Sequence, residues 1–475
     1  MTIGTADLTG RVTFNGVTAP KVYSYTGSTI VAYGTLSLAD VTSTNTSSLL
    51  RVDANGALYL PTNTTFTKAV TLNGGLLVAA ATNTTTVSSA ITLTADSKIA
   101  VLGGATLALN STSTISGSYG ITYGVAPTTA YLGGLSNATY NGVVTVGNNY
   151  TYTGLTTVDY GTLRLGAAGS GANTPLGTID AGTLVNSGAT LDLYGNTLAT
   201  AEALTINGVG MSSGGALRNG VANASYSGAI TLASNSTIFS STNNLILSNV
   251  GQITGNGFTL TLAGNSTGEV KSIVATAGLT VSGGKWTLSA TNTFTGATNV
   301  NGGTLIFGKV DALDASSAVN VNTNGTLDSA GLTILKGITL AGGTLTNSVS
   351  GGSYSGAITL TAASTLYAQN GPAVTIAGAG IGESGGSQSL TISSLTGSGV
   401  TLFSAANTYT GATTISGGYL RIGNSNALGG TSSVNIGVTS GQGILDLAGY
   451  TVSKALTFAG TATLTNTTGT GEASG

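Results

Sequence analysis

Apolar and polar residues alternate along short segments throughout this sequence. Examples are ATLDL (189–193), FTLTL (258–262) and GTLIF (303–307). Alternation with a period of two over about four to eight residues is typical of half-buried strands. Asn-Gly, Gly-Gly and Ser-Gly pairs separate these segments and supply the positive φ angles that tight turns require. A convincing helical period is absent, so the pattern predicts a chain made essentially of strands.

One segment of the sequence occurs three times. It reads YTGLTTVDYGTLRLG (152–166), FTGATNVNGGTLIFG (294–308) and YTGATTISGGYLRIG (409–423). The starts are 142 residues apart (294 minus 152) and then 115 apart (409 minus 294). This unequal spacing indicates loops that accept insertions between strands that keep their register.

The repeated segments divide the chain into cassettes at about 150–292, 293–407 and 408–475. A second motif, YSGAITL, occurs in the first two cassettes, at 226–232 and 354–360. Recurrence of both motifs in the same order predicts that each cassette is built from the same structural units.

Two architectures suit many short strands: a sandwich or barrel, and a stack of coils. Three features favour the stack, at roughly 20 residues per coil. The repeat is long and in tandem, Thr and Asn suit ladders of like residues, and charge is too sparse to protect many open sheet edges. We therefore predict an all-β fold, a parallel β-solenoid over 61–475. Residues 1–60 hold two of the five prolines and no cassette motif, so we predict a separate β-rich cap or attachment module there.

Composition narrows the classes of partner. Charged residues make up 6% of the chain, against roughly 25% in an average soluble protein. The hydrophobic fraction of 41% and net charge of −2 differ from the low hydrophobicity and high charge of disordered chains. The 13 Lys and Arg residues are scattered, which argues against nucleic-acid binding. No apolar run approaches the ~20 residues of a membrane span, so we expect no membrane insertion.

Histidine and cysteine are both absent. Metal sites built on these ligands and catalysis by Ser-His-Asp or Cys-His groups are therefore excluded. We predict no catalytic residue, no cofactor and no metal site, and a chain that is not an enzyme.

Carboxylates are the remaining candidates for acid–base chemistry. Asp311 and Asp314 form the closest pair outside the N-terminal module. In the third cassette the same positions hold Asn426 and Gly429, which cannot act as acids or bases. We therefore interpret this segment as a turn.

A second set of carboxylates recurs once in each cassette, directly after a leucine: Asp192, Asp328 and Asp446. We interpret them as outward-facing strand or turn residues. A weak calcium or sugar contact is the alternative, although the glycine-aspartate nonapeptides of calcium-binding β-rolls are absent.

Aromatic residues begin each copy of the repeated segment. Tyr152, Phe294 and Tyr409 would suit a sugar-binding row, but their shared context favours packing. Trp286, the single tryptophan, is also interpreted as a packing residue. Thr-rich solenoids can bind ice, but irregular spacing argues against that here.

The segment YTGATTISGGYLRIGNSNALG (409–429) resembles the autotransporter-associated β-strand repeat, as do 294–308 and 152–166. This repeat occurs in autotransporter passenger domains, in other large secreted adhesins and in some phage structural proteins. The resemblance implies a right-handed parallel β-helix.

These features together predict a non-enzymatic structural or adhesive surface rod. We favour a virion component such as a phage tail fibre, because the chain starts with Met and residues 1–20 lack the basic start and apolar core of a secretory signal. The alternative is a secreted bacterial adhesin or extracellular filament subunit; a polysaccharide-degrading enzyme is the weakest candidate. We expect a homo-oligomer, either a trimer or a filament, that contacts a host or cell-surface glycan or protein. The expected location is a virion, the cell surface or the medium.

Overall fold

The structure is a computed structural model that describes residues 2–3, 11–14, 27–38, 48–80, 82–125, 140–395, 398–437, 442–468 and 472–473. Residues 1–258 and 259–475 form two compact units. Almost every strand pair within each unit is parallel, and each unit is a parallel β-solenoid, as predicted.

Short strands make up the first unit. Numbered β1 to β26 in chain order, they are Thr2–Ile3, Arg11–Phe14, Thr29–Leu38, Leu50–Leu60, Thr65–Phe66, Val70–Asn73, Leu76–Ala79, Thr84–Val87, Ala90–Ala95, Ser97–Val101, Thr106–Leu109, Thr114–Ser116, Ile121–Tyr123, Val143–Val146, Thr156–Val158, Gly161–Leu165, Asn173–Thr174, Gly177–Thr178, Thr183–Val185, Ala189–Asp192, Thr197–Leu198, Leu204–Gly208, Leu217–Asn219, Ala224–Tyr226, Ile230–Ser240 and Asn244–Leu247. Strand β27 is Gln252–Gly264. Helix in the described part of the chain is limited to the short 3-10 segment Met211–Ser213.

The second unit continues in the same way. Its strands β28 to β50 are Thr267–Val270, Ile273–Leu288, Thr298–Phe307, Val319–Asn322, Gly325–Asp328, Thr333–Ile334, Ile338–Ala341, Thr344–Asn347, Ser353–Tyr354, Ile358–Ala362, Ser364–Ala368, Val374–Ile376, Ile381–Glu383, Leu390–Ser393, Val400–Phe403, Thr413–Ile415, Gly418–Ile422, Val434–Ile436, Gly443–Asp446, Leu456–Phe458, Thr463–Thr465, Thr467–Thr468 and Glu472–Ala473. No helix among the described residues has the length and apolar character needed to cross a membrane.

The core of each unit consists of apolar columns that run from coil to coil. Residues in register on successive strands share a column. Along each strand these apolar residues alternate with polar residues that point outward. One buried column of the first unit is Leu36, Leu58, Leu77, Ile99, Tyr123, Val158, Val185, Ile206 and Leu232. One buried column of the second unit is Trp286, Leu305, Leu327, Leu345, Leu366, Ile392, Ile415 and Ile436.

Polar residues form ladders outside these columns, as the Thr and Asn content predicted. Thr304, Thr326, Thr344 and Thr365 are successive partners on four strands. Asn320 Nδ2 donates to Asn299 Oδ1 at 2.9 Å on the preceding coil. The Asn pair thus links two coils by a side-chain hydrogen bond without using charge.

The predicted module at residues 1–60 is described only in part. Residues 15–26 and 39–47 lie outside the described part of the chain. Strand β4 (Leu50–Leu60) pairs in parallel with β6 and β7, which lie beyond residue 60. The division at residue 60 stays a prediction.

Candidate functional site

The aromatic residues that begin each repeated segment lie in the interior. Tyr152, Phe294 and Tyr409 are at most 2% exposed. The hydroxyls of Tyr152 and Tyr409 hydrogen bond with a threonine four residues later, at 2.5 and 2.6 Å. The interpretation of these residues as packing residues is therefore confirmed, and the alternative of an exposed sugar-binding row is wrong.

A buried asparagine two residues before the aromatic residue connects three coils. Asn407 Oδ1 accepts the Ile381 N–H at 2.7 Å, and its Nδ2 donates to Ala427 O at 2.6 Å. In the preceding cassette, Asn292 makes equivalent bonds to Val274 N at 2.8 Å and Ala312 O at 2.8 Å. These side chains satisfy backbone groups that would otherwise be buried without partners.

The aspartate that recurs after leucine closes a turn. Oδ1 of Asp446 accepts the backbone N–H of Ala448 at 3.1 Å and that of Thr467, on the next coil, at 2.9 Å. Its Oδ2 accepts Arg421 Nε at 2.8 Å and the Thr467 hydroxyl. Burial acts to raise the pKa of Asp446, but the bonds from Thr467, Arg421 and Ala448 together lower it to about 2.

The other two aspartates repeat this arrangement. Asp192 accepts the N–H groups of Tyr194 and Gly220 at 3.0 and 2.9 Å. Asp328 accepts those of Ala330 and Ser348, both at 2.9 Å. In each copy the donors are the residue two positions later and a residue of the following coil.

The prediction that these aspartates are strand or turn residues on the outer face is confirmed, but they are covered by the turn and not exposed. They end strands on the face opposite an inward leucine, yet Asp192, Asp328 and Asp446 are 0%, 4% and 1% exposed. A carboxylate that accepts one backbone N–H group from its own turn and one from the following coil lies between them and is covered by both.

The turn also imposes an unusual backbone conformation. The residue two positions after each aspartate has a positive φ, at 50° for Tyr194, 47° for Ala330 and 45° for Ala448. Such φ values are uncommon outside glycine, Asn and Asp and cost free energy. The buried carboxylate offsets that cost by binding the N–H of the same residue.

Asp311 and Asp314 lie in a turn, as the comparison of cassettes predicted. Asp311 Oδ2 accepts the Thr291 hydroxyl at 2.8 Å, and Asp314 is exposed. Trp286 is fully buried, and its Nε1 donates to Ala263 O at 3.2 Å. Among the described residues, no group of three or more Asp or Glu side chains could hold a metal ion.

A groove of about 550 Å³ opens on the second unit above Asp328. Its lining includes Lys285, Thr304, Thr326 and Thr344, which come from four successive coils, and the ring of Tyr367. Thr326 and Thr344 are register partners, so their side chains line the groove at the spacing of neighbouring strands, about 4.8 Å.

The groove exists where one cassette departs from the others. Arg421 is the register partner of Asp446 and binds its Oδ2. The register partner of Asp328 is Ile306, which has no polar group to offer. Within the described part of the chain, Oδ2 of Asp328 has no hydrogen-bond or ion-pair partner.

The family model described as passenger-associated-transport-repeat matches residues 281–307 and 395–422. These two segments are similar to the passenger repeat. The match confirms the resemblance to the autotransporter-associated β-strand repeat and indicates an extracellular or cell-surface protein. No curated protein and no solved structure matches the chain significantly.

Both copies of the passenger repeat contain the buried Asn and aromatic pair, which is Asn292 with Phe294 and Asn407 with Tyr409. Both also contain the strand position that faces the recurring aspartate, occupied by Ile306 in the first copy and Arg421 in the second. The repeat therefore contains the residues that hold adjacent coils together and the position at which the copies differ on the surface.

The sequence alone did not indicate the groove residues of the second unit, among them Lys285, Thr326 and Tyr367. One signal was present, since the aligned segments read LRL, LIF and LRI at 163–165, 305–307 and 420–422. The loss of arginine from the second copy marks the cassette in which the aspartate lacks a cation.

A buried carboxyl group in the first unit was also not identified from the sequence. Glu202 is fully buried and accepts hydrogen bonds from the hydroxyls of Thr183 at 3.1 Å and Thr174 at 3.5 Å. Burial raises the pKa of Glu202 to about 7, although these two hydrogen bonds act to lower it.

Proposed function

We propose that this chain is a non-enzymatic surface protein of passenger type, which serves as a structural or adhesive scaffold outside the cell. The observation that carries the proposal is the passenger-repeat match at 281–307 and 395–422. The contacts of the buried Asn292 and Asn407 in these segments support a scaffold role, because they hold coils together.

The non-enzymatic part of the proposal rests on the carboxylates. Hydrolysis of a glycosidic bond generally uses two carboxyl groups on either side of the bond. Asp328 is the one carboxylate that lines the groove of the second unit, and Asp311 and Asp314 lie in a turn outside this lining. Incubation of the chain with polysaccharides should therefore release no reducing ends. Any release by the unaltered chain would contradict this part, whether or not the D328N variant abolishes it.

The location distinguishes two versions of the proposal. The passenger repeat favours a cell-surface or secreted adhesin or filament subunit. The more specific prediction of a virion tail fibre gains no support from the repeat match and stays a prediction. Genes for capsid and tail proteins beside this one would favour the virion, and genes for a secretion system would favour the adhesin.

The adhesive role is tested by display of the chain on a bacterium that does not otherwise adhere. We expect displaying cells to bind abiotic or cellular surfaces more than cells that display an unrelated solenoid of similar length. Equal binding by both strains would contradict an adhesive role, although a purely structural role would survive.

A homo-oligomer, trimer or filament, also belongs to the proposal. Light scattering coupled to size-exclusion chromatography measures the mass of the assembly directly. A multiple of 46.1 kDa is expected, and a mass of 46.1 kDa at all concentrations would contradict this part.

A further inference from the structure

The groove above Asp328 has an acceptor that the fold does not use. Asp328 is 4% exposed, and its Oδ1 accepts two backbone N–H groups within the turn. Asp328 lines the groove, and its two hydrogen bonds among the described residues both go to Oδ1, so Oδ2 is left for a ligand. Since this oxygen is not among the buried side-chain atoms without a partner, it reaches solvent in the groove. A ligand group that donates to it from the groove would make a charge-assisted hydrogen bond.

Two other copies of the same turn show what this oxygen binds when a donor is present. Asp446 Oδ2 accepts Arg421 Nε at 2.8 Å, and Asp192 Oδ2 accepts Arg218 Nη2 at 3.1 Å. The second cassette has Ile306 on the strand before Asp328, where the third has Arg421, and Thr346 on the strand after it, where the first has Arg218. The position that a guanidinium occupies elsewhere is therefore open to a ligand.

The rest of the lining indicates the chemistry of that ligand. It is dominated by hydroxyl and amide groups, including Thr326, Thr344 and Gln369, with one tyrosine ring, Tyr367. Lys285 is the one positive group of the lining and balances Asp328. A groove without net charge does not select a cationic peptide, whereas hydroxyl, amide and aromatic groups together match the alternating polar and apolar faces of a sugar ring.

The size and repeat of the groove fit a chain rather than a single small molecule. Its volume of about 550 Å³ lies in the range of ligand sites. Thr326 and Thr344 present hydroxyls from adjacent coils at about 4.8 Å, close to the length of one sugar residue. We propose that this groove binds a saccharide chain, with Asp328 accepting hydrogen bonds from its hydroxyl groups.

This inference rests on the proposed adhesive function, because it assigns the class of ligand and the face that binds it. Binding is measured by saturation-transfer NMR and calorimetry on the full chain, with hexasaccharides of glucose, mannose, galactose, N-acetylglucosamine and glucosamine. An arginine-containing peptide serves as the competing ligand class. We expect at least one hexasaccharide to bind with a Kd of about 1 mM or tighter.

The variant Ile306→Arg is the most informative change. It introduces the residue found at the equivalent strand positions of the other two cassettes, Arg164 and Arg421. The new guanidinium would bind Asp328 and fill the groove. We expect saccharide affinity to fall by about 10-fold or more, because the ligand loses its charge-assisted hydrogen bond to Asp328 and part of the space in the groove.

A matched pair of substitutions separates the groove from the remaining surface. Thr326→Val removes a hydroxyl inside the groove, and Thr339→Val removes one from a half-buried strand position outside its lining. We expect about 5-fold weaker binding for the first and unchanged binding for the second. Emission of Trp286 verifies that each variant is folded.

Three results would overturn the inference: no hexasaccharide binds at up to about 10 mM, Ile306→Arg binds as tightly as the unaltered chain, or the arginine peptide alone binds. The adhesion assay is read separately. If the chain binds no saccharide and Ile306→Arg leaves adhesion unaffected, this inference is contradicted but the adhesive function is not. Saccharide binding that Ile306→Arg abolishes, without adhesion, would do the reverse.

Discussion

Arg421 Nε donates a hydrogen bond of 2.8 Å to Oδ2 of Asp446, its register partner on the following strand. The two residues lie on neighbouring coils, and the carboxylate also binds backbone N–H groups of Ala448 and Thr467. One side chain thus closes a turn, links it to the next coil and neutralises a surface arginine.

Replacement of this carboxylate should destabilise the second unit. Asp446→Ala leaves two partly buried N–H groups without acceptors, and we expect a loss of about 2–4 kcal/mol in the free energy of unfolding. Asp446→Asn keeps an acceptor and should cost less. Urea denaturation followed by circular dichroism measures both, with Asp314→Ala, an exposed turn residue, as the matched control. Equal stability of Asp446→Ala and Asp314→Ala would refute the role of this turn.

The same carboxylate predicts a dependence on pH. Its pKa is lowered from 3.8 to about 2 in the folded chain. A lowered pKa means that the stabilisation is present above pH ~4 and is lost as pH falls through about 2. Unfolding measured between pH 5 and pH 2 should therefore show a smaller loss of stability for Asp446→Asn than for the unaltered chain.

Strain in the turn predicts a stabilising substitution. Ala330 has a φ of 47°, which glycine adopts without a steric penalty. We expect Ala330→Gly to raise the free energy of unfolding by up to about 1 kcal/mol. This net gain is the relief of backbone strain minus the greater conformational entropy of glycine in the unfolded chain. Ala363→Gly, at an exposed position without positive φ, should instead lower it by roughly 0.5–1 kcal/mol. Parallel denaturation curves decide the matter; a loss of stability at both positions would contradict the prediction.

Glu202 predicts an opposite dependence on pH in the first unit. Its folded pKa of about 7 lies above the ordinary 4.5, so the folded chain holds the proton more tightly. This stabilisation is complete below pH ~4.5 and is lost as pH rises through about 7. Glu202→Gln stays neutral, and we expect it to exceed the unaltered chain by up to about 3 kcal/mol at pH 8 and to match it near pH 4.5.

The control variant for Glu202→Gln is Glu269→Gln, which changes a partly exposed carboxylate that pairs with Lys271. Thermal unfolding monitored by circular dichroism at pH 4.5, 6 and 8 gives the slope. An unchanged slope in Glu202→Gln would show that Glu202 does not bind a proton on folding.

Close packing of Trp286 on a glycine gives a further test. A Cβ added to Gly268 would lie 2.3 Å from the indole ring, so the ring or the strand must move. We expect Gly268→Ala to cost about 1–3 kcal/mol and to shift the emission of the single tryptophan toward longer wavelength. Gly104→Ala, which meets no atom within 4 Å, is the control. Identical emission and stability in the two variants would count against this packing.

Much of the fold was readable from the sequence because it depends on local pattern. Alternation in segments such as 303–307 defined the strands, and the repeated context of Tyr152 and Tyr409 correctly indicated packing. The replacement of Asp311 by Asn426 in an aligned cassette correctly indicated a turn. Each of these inferences needs residues that are neighbours in sequence or equivalent in the repeat.

The site could not be predicted in the same way because it depends on contacts between coils. Burial of Asp328 follows from the N–H of Ser348, twenty residues later, which no local pattern reveals. The groove combines Lys285 and Tyr367 from strands β29 and β38, which three other strands separate, so their alignment on one face follows only from the register of every intervening coil. The change from arginine to Ile306 was visible in the sequence, but its meaning required the position of Asp328 across the ladder.

The central claim, a passenger-type solenoid displayed outside the cell, is tested most directly by locating the protein in the organism that makes it. Antibodies raised against the second unit should label intact, unpermeabilised cells or the material they release, and protease added to intact cells should remove that label. Label that appears only after permeabilisation, or that follows purified virus particles instead of cells, would contradict the account.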